Sequence, residues 1–422
     1  MARKTRLERS VERSTQMQPS SVDHHDWQGP LSGLRVIDLT RVLAGPLATQ
    51  FLGDLGAEIL KIEPPGGGDE TRKIPPFVNG ESHYFLGLNR SKKSLVVDLR
   101  KPAGAEILRG LAARADVLVE NYRPGVMDRL GLGYEALSAV NPRLIYCAIS
   151  GFGLTGPLRD LPAFDIVTQA LTGVLSVNGE RGRPPVKLGL PMGDMVGGIF
   201  GPIAILSALH ERSRTGRGRL LDVSLYDGLL GMLGYLPQLA FVSGRDPEPV
   251  GSSHPTVVPY GSFPASDGAI IIAALSDRFW LKVCEALDLP QFASDPRLAK
   301  AAGRREHRDE IERAMTAITA TRSVAEWQAR LSAHDVPHAP VLGVTAALSQ
   351  PHAIAREMVQ WVEHPVAGRI RVIGRSIKFP GAQQEPLRPP PTLGQHTVEV
   401  LKRELGYTDE AVDQLVKDSV IA

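Results

Sequence analysis

At 422 residues the chain is too long for one simple core, and its 43% hydrophobic and 22% charged residues are those of an ordinary globular protein. Lys+Arg 48 against Asp+Glu 46 leaves a formal net charge of +2, which excludes binding of nucleic acid through global charge but leaves room for a local basic pocket. Cys147 and Cys284, neither in a CxxC, make neither a disulfide framework nor a zinc site and point to a reducing compartment.

Residues 1–28 are polar, nearly free of bulky aliphatics, and read as a disordered extension. Their arginines hint at a mitochondrial transit peptide, but Glu8 and Glu12 oppose it. A cytoplasmic protein is expected, with the mitochondrial matrix as the eukaryotic alternative. Folded sequence begins at LSGLRVIDLT, where LRVIDL predicts a strand. AGPLATQFLGDLGA follows with helical spacing, and EILKIEPP is a strand stopped by Pro64 and Pro65. KSLVVDL (strand), KPAGAEILRGLAARA (helix), DVLVENY (strand), GYEALSAVNPR (helix) and LIYCAIS (strand) continue the alternation. Strands alternating with helices of this length predict an α/β fold, a Rossmann-like large domain with a parallel sheet whose ligands sit at the carboxyl ends of the strands. G-x-G-x-x-G is absent after the first strand, where TRVLAGP stands, so no dinucleotide fingerprint is supported.

Further on, IAILSALHER predicts a helix closed by TGRG, and RLLDVSLYDG a strand. Residues 243–261 are rich in Gly, Pro and Ser, as in a linker or an active-site loop. AIIIAAL, DRFWLKVCEAL, RREHRDEIERAMTAIT, SVAEWQARLSAHD and APVL predict a smaller α/β domain. RIRVIG, a proline-rich spacer at EPLRPPPTLGQHT and a terminal helix from TVEVLKREL complete the chain. The expected plan is an extension over 1–28 and a large domain over 29–225, completed by 346–422. A linker and active-site loop fill 226–259, and the small domain takes 260–345. No apolar run reaches the roughly 18 residues of a membrane span, so no membrane association is expected.

Within GLPMGDMVGG, Asp194 has no base, metal ligand or second acid close in sequence. An acid just before a helix caps its free N–H groups, and that is the plain reading of this residue alone. Two features argue for more. Gly197, Gly198, Gly201 and Pro202 follow, costing about 1 kcal/mol per glycine and roughly 3 for the proline in a helix interior. They let a ligand approach the backbone instead. Also, a helix N-terminus favours the carboxylate anion, which needs no base to act as a nucleophile.

These residues, with LSGLRVIDLTRVLAGP, LGDLGAEILKIEPPGGGDETR, NRSKKSLVVDL, ADVLVENYRPGVMDRLGLGYEAL, NPRLIYCAISGFG, FDIVTQALTGV, ALHERSRTGRG and DVSLYDG, closely resemble the class III CoA-transferases. That group includes the formyl-CoA and carnitine CoA-transferases, with the 2-methylacyl-CoA racemases as a sister branch. The resemblance spans about Leu31 to Lys378. It implies that Asp194 is the nucleophile, forming an aspartyl–acyl anhydride and then an aspartyl–CoA thioester. Gly197 and Gly198 would supply backbone N–H groups to the oxyanion or shield the anhydride.

The resemblance carries coenzyme A contacts onto Val97, Arg100, Asn121, Tyr122, Val126, Arg129 and Leu130, and places Val42, Leu43 and Ala44 near the thioester. The arginines would hold phosphate oxygens. Pro64 stands where the family often has a cation, so Arg72 or Lys92 is expected to substitute. Leu43 replaces the glutamine of formyl-CoA transferases, which argues against oxalate as acceptor. The racemases carry a histidine where this chain has Phe164, and phenylalanine exchanges no proton. Asp165 is then a supporting acid, or a buried structural carboxylate. His83, His210, His254 and His338 are isolated without metal-ligand spacing. His254 lies in the stretch matching the family's active-site loop and is expected to help recognise the acceptor.

The expected function is CoA transfer from an acyl-CoA donor, succinyl-CoA foremost, to a small dicarboxylate. No metal or redox cofactor is expected, and the resemblance implies an interlocked homodimer. The alternatives are an acyl-CoA racemase and a non-catalytic CoA-binding protein.

Overall fold

The computed structural model describes residues 29–382 and 384–422; the expected N-terminal extension lies outside them. The chain divides into two units. The first takes residues up to Pro162, Asp194–Leu225 and Glu357–Ala422, and the second takes Ala163–Gly193 and Tyr226–Arg356. Three stretches therefore differ from the sequence plan, one of them residues 346–356, which fall in the second unit rather than the first. Residues 163–193 cluster with the second unit, and 226–259 belong to it as well. That stretch also carries helices at Leu225–Met232 and Leu236–Ser243, where a linker was expected.

Six strands build the first unit: β1 (Arg35–Asp38), β2 (Glu58–Glu63), β3 (Lys93–Val96), β4 (Val117–Glu120), β5 (Ile145–Ser150) and β6 (Leu220–Ser224). They lie in the order β3-β2-β1-β4-β5-β6, every pair parallel. All six were legible as short strands, the inner ones as apolar runs because a parallel sheet is buried on both faces, while the edge strand β6 is partly exposed. Neighbouring residues point to opposite sides. Ile37, Leu60, Leu118 and Tyr146 pack into one core, which takes the helix Pro102–Ala112 and the two C-terminal helices Thr397–Leu405 and Asp409–Lys417. Val36, Ile59, Val117 and Ile149 pack into the other core, with α1 (Ala44–Asp54) and α2 (Met192–Thr215).

α2 overturns a sequence expectation. It runs unbroken through Gly197, Gly198, Gly201 and Pro202, and the reason is packing. A Cβ on Gly197 would lie 2.5 Å from Leu225 and 3.1 Å from Ile149, and one on Gly198 would lie 2.7 Å from Leu47. The glycines let α2 press onto α1 and β5, so close helix contact outweighs their poor propensity. At 24 residues this helix is long and apolar enough to cross a bilayer by length and composition, which the sequence reading had excluded. Its glycine face is part of the first unit's core, while Ile199, Ile203 and Leu206 are exposed.

The second unit is built on an antiparallel sheet, His338–Pro340 beside Gly268–Ala273 beside Tyr260–Ala265. Trp280, Trp327, Ile270, Ile272 and Met315 fill its core. The helices Asp277–Ala286, Arg308–Thr319 and Val324–Ala333 sit where the sequence predicts them. The last opens with a capping box between Ser323 and Glu326.

Candidate active site

The strand order reverses between β1 and β4, and in open α/β sheets ligands bind at the carboxyl ends of such a pair. Two turns meet there. Asn121, just past β4, accepts the Arg41 N–H and donates to the Arg41 carbonyl, both at 2.8 Å. The Arg41 guanidinium lies 4.8 Å from the centre of the Tyr122 ring and pairs with Glu70 at 2.6 Å. Arg41 was missed in the sequence, hidden between apolar neighbours. It sets a cation and an aromatic face together at the switch point, a combination suited to a nucleotide-bearing ligand.

Below this surface is a buried charge network. Lys92 reaches Asp38 at 2.9 Å, Lys61 reaches Asp69 at 3.1 Å, and Arg72 grips both oxygens of Glu63 at 2.7 Å. Burial pushes the Asp38 carboxyl up, but Lys92, Lys61 and the Thr40 and Thr49 hydroxyls bring it down to about 2. The expectation that Arg72 or Lys92 holds a CoA phosphate is thus corrected: both are buried in ion pairs. A signal existed, since Lys61 and Glu63 are charges inside an otherwise apolar buried strand.

The other expected contacts divide. Arg100 and Arg129 are exposed, Arg100 paired with Asp98 at 2.8 Å. Val126, Leu130 and Tyr122 are half-buried, and the short helix Val126–Arg129 is entered through left-handed Gly125. Val97 differs from the expectation: it is buried in the core and bridged to Ile421. Asn121 has both ends of its amide engaged by Arg41, so its role in this geometry is to join the two turns.

Asp194 is half-buried in the first turn of α2. Immediately before it, the Gly193 N–H donates to Asp165 Oδ1 at 2.8 Å. Asp165 is buried, and its other oxygen accepts from Gln169 at 2.7 Å. Only glycine fits at 193, where a Cβ would lie 2.7 Å from Thr168 Oγ1. The acid at 165 therefore holds the backbone next to Asp194. Phe164 beside it is 75% exposed and has no proton to exchange. Gly197 and Gly198 are the sixth and seventh residues of α2, past the first-turn amides that a helix leaves unpaired. In the second unit, His254 Nδ1 accepts the Thr256 and Val257 amides at 3.1 Å, and Tyr235 stacks on the ring. Two donors on Nδ1 put the ring proton of the neutral form on Nε2. Among the described residues no group of three metal-ligating side chains is placed to hold an ion.

Glu120, the last residue of β4, was also missed. Burial pushes its carboxyl up to about 7, with Asp128 adding to it, while the Tyr122 amide and the Tyr146 hydroxyl oppose the rise. The folded state holds this proton more tightly than the unfolded one. Its contribution to stability is therefore full below the ordinary 4.5 and is lost as pH rises through about 7. Glu120→Gln keeps an acceptor for the Tyr122 N–H. Urea unfolding is expected to show the variant gaining on the parent by on the order of 3 kcal/mol between acidic and alkaline limits.

Residues 31–397 match the family described as CoA-transferase family III. The chain is 37% identical over 397 residues to a succinyl-CoA:glutarate CoA-transferase of Mus musculus, covering 94% of this chain and 91% of that one. It is 39% identical over 363 residues to an acetyl-CoA:oxalate CoA-transferase of Acetobacter aceti, covering 86% and 92%. A crystal structure of a CAIB/BAIF family protein from Brucella suis superposes with a TM-score of 0.81 at 35% identity, covering 89% of this chain and all of that one.

Proposed function

The chain belongs to CoA-transferase family III, an enzyme family acting on CoA thioesters, and from that premise we propose that it moves coenzyme A from succinyl-CoA to a small dicarboxylate through covalent intermediates on Asp194. The observation that carries this reading is the half-buried Asp194 on a first helical turn, its neighbouring amide fixed by buried Asp165. A helix end favours the carboxylate anion, and an anion needs no base to attack.

Asp194 attacks the thioester carbonyl carbon, and the C–S bond breaks to release CoA thiolate and leave a mixed anhydride. The thiolate attacks the aspartyl carbonyl, expelling the donor acid and forming a thioester on Asp194. The acceptor carboxylate displaces the thiolate to give a second anhydride. Attack of the thiolate on the acceptor's acyl carbon then regenerates the Asp194 carboxylate. No net proton is consumed. Arg41, Tyr122, Arg100 and Arg129 are the groups we assign to the nucleotide end, with Val42, Leu43 and Ala44 at the thioester. Leu43 offers no side-chain amide to a short acid, which favours an acceptor longer than oxalate. His254, with its proton on Nε2, is assigned to the acceptor's second carboxylate.

The succinyl donor is supported by the mouse relative's name. A racemase is opposed by Phe164. Incubation in D₂O with an acyl-CoA is expected to give acceptor-dependent CoA exchange and no deuterium at the α-carbon; acceptor-independent α-deuteration would reject the transferase reading. We further propose a homodimer, supported by the exposed apolar stripe Ile199, Ile203 and Leu206 on α2. Light scattering is expected to read a dimer; the mass of one 45.6 kDa chain would contradict it.

A further inference from the structure

Two buried lysines hold the turn 40–43 and the start of α1 that follows it, one at each end of residues 40–46, and the reaction above uses neither. Lys61 Nζ donates to the Thr40 carbonyl at 2.8 Å, and Lys92 Nζ donates to the Pro46 carbonyl at 2.9 Å. Each ammonium has its own carboxylate, Asp69 at 3.1 Å and Asp38 at 2.9 Å, and all four side chains are fully buried. The carboxylates reach the same turn. Asp38 Oδ1 accepts the Thr40 N–H at 2.9 Å, and Asp69 Oδ1 accepts the Val42 N–H at 3.3 Å. Thr49 Oγ1 bridges Asp38 at 2.6 Å and Lys92 at 2.8 Å. The start of α1 packs tightly on Thr40, because a Cβ on Gly45 would lie 2.2 Å from Thr40 Cβ.

Inside this clamp Val42 has φ of 66°, a left-handed conformation that β-branched residues avoid. Such a conformation persists only where the surroundings over-determine it. Stability alone does not account for the arrangement, since buried ion pairs are often replaced by apolar residues without loss. What needs explaining is that the two ammonium groups end on carbonyls at either side of Val42–Ala44, one before the turn and one in the first turn of α1.

We infer that Lys61–Asp69 and Lys92–Asp38 are positioning residues that lock the 40–46 backbone, with Val42 left-handed, so that Val42–Ala44 hold the CoA thioester in line for attack. This rests on the reading of Asp194 and of residues 42–44 given above.

The test uses the double substitution Lys61→Met with Asp69→Asn, which removes one arm of the clamp without leaving a lone buried charge. Its kcat is expected to fall about 10- to 100-fold, the cost of a thioester displaced by about an ångström, with the KM for succinyl-CoA changing less than about threefold. Adding Val42→Gly, which makes the left-handed conformation accessible without the clamp, recovers most of the loss. Thr49→Val, which deletes one hydroxyl from the other arm, gives a smaller kcat loss rescued the same way and serves if the double variant does not fold. A kcat within about twofold of the parent, or a loss that Val42→Gly leaves in place, overturns the clamp. Borohydride trapping on the same samples separates the two readings. Label on Asp194 with unchanged kcat defeats the clamp alone, and absence of label in the parent defeats the reading beneath it.

Discussion

Asp194→Ala is expected to reduce CoA transfer by on the order of 10⁴-fold or more while leaving the fold intact. The size follows from chemistry, since the residue is proposed as the covalent carrier rather than a helper. Without it, the acceptor carboxylate must attack the thioester directly, losing both the enforced proximity and the two-step route. The structural cost is modest. Asp194 is half-buried in the first turn of a 24-residue helix, where losing an acid costs about 0.5–2 kcal/mol. Asp194→Asn keeps the shape and removes the nucleophile, so it should fall as far. Asp194→Glu keeps the nucleophile but moves it by one methylene, and should land between the parent and these two variants. A parent-like rate in the alanine variant, read by acceptor-dependent formation of the new thioester, would end the covalent account.

Lys92→Met is expected to be the most destabilising single change in the first unit's interior, at about 3–5 kcal/mol. The methionine fills a similar volume, so the cost is electrostatic. Asp38 is fully buried and loses the ammonium 2.9 Å away. Thr49 and the Pro46 carbonyl lose a donor as well. Removing Asp38's charge in the same molecule tests this directly. Asp38→Asn with Lys92→Met should recover a large part of the lost stability in urea unfolding, because the second change removes the uncompensated charge left by the first. If the two losses simply add, the pair is not the source of the effect.

The parallel sheet was legible because strands buried on both faces become continuous apolar runs, as in LRVIDL and LIYCAIS. α2 was misread for the opposite reason. Its glycines look like breakers in isolation, and only the approach of Leu47, Ile149 and Leu225 explains them. Tertiary packing overrode propensity there. Asp194 stood out since an acid among glycines is conspicuous, whereas Arg41 and Glu120 did not: Arg41 matters through contacts between the turns after β1 and β4, and Glu120 through its burial. Arg72 and Lys92 were read as phosphate cations from charge alone. Sequence gives a residue's charge but not its depth, and both are buried on carboxylates. In the second sheet AIIIAAL and APVL were legible, but not their antiparallel pairing, because short apolar strands carry no direction of their own.

The most direct measurement is borohydride reduction of the enzyme during turnover with succinyl-CoA, followed by mass mapping of the peptide containing residue 194. A thioester on Asp194 would be reduced to the corresponding alcohol, homoserine, at that position and nowhere else, and the Asp194→Asn variant would yield none. Reduction at a different residue, or none at all in an enzyme that is turning over, would contradict the account.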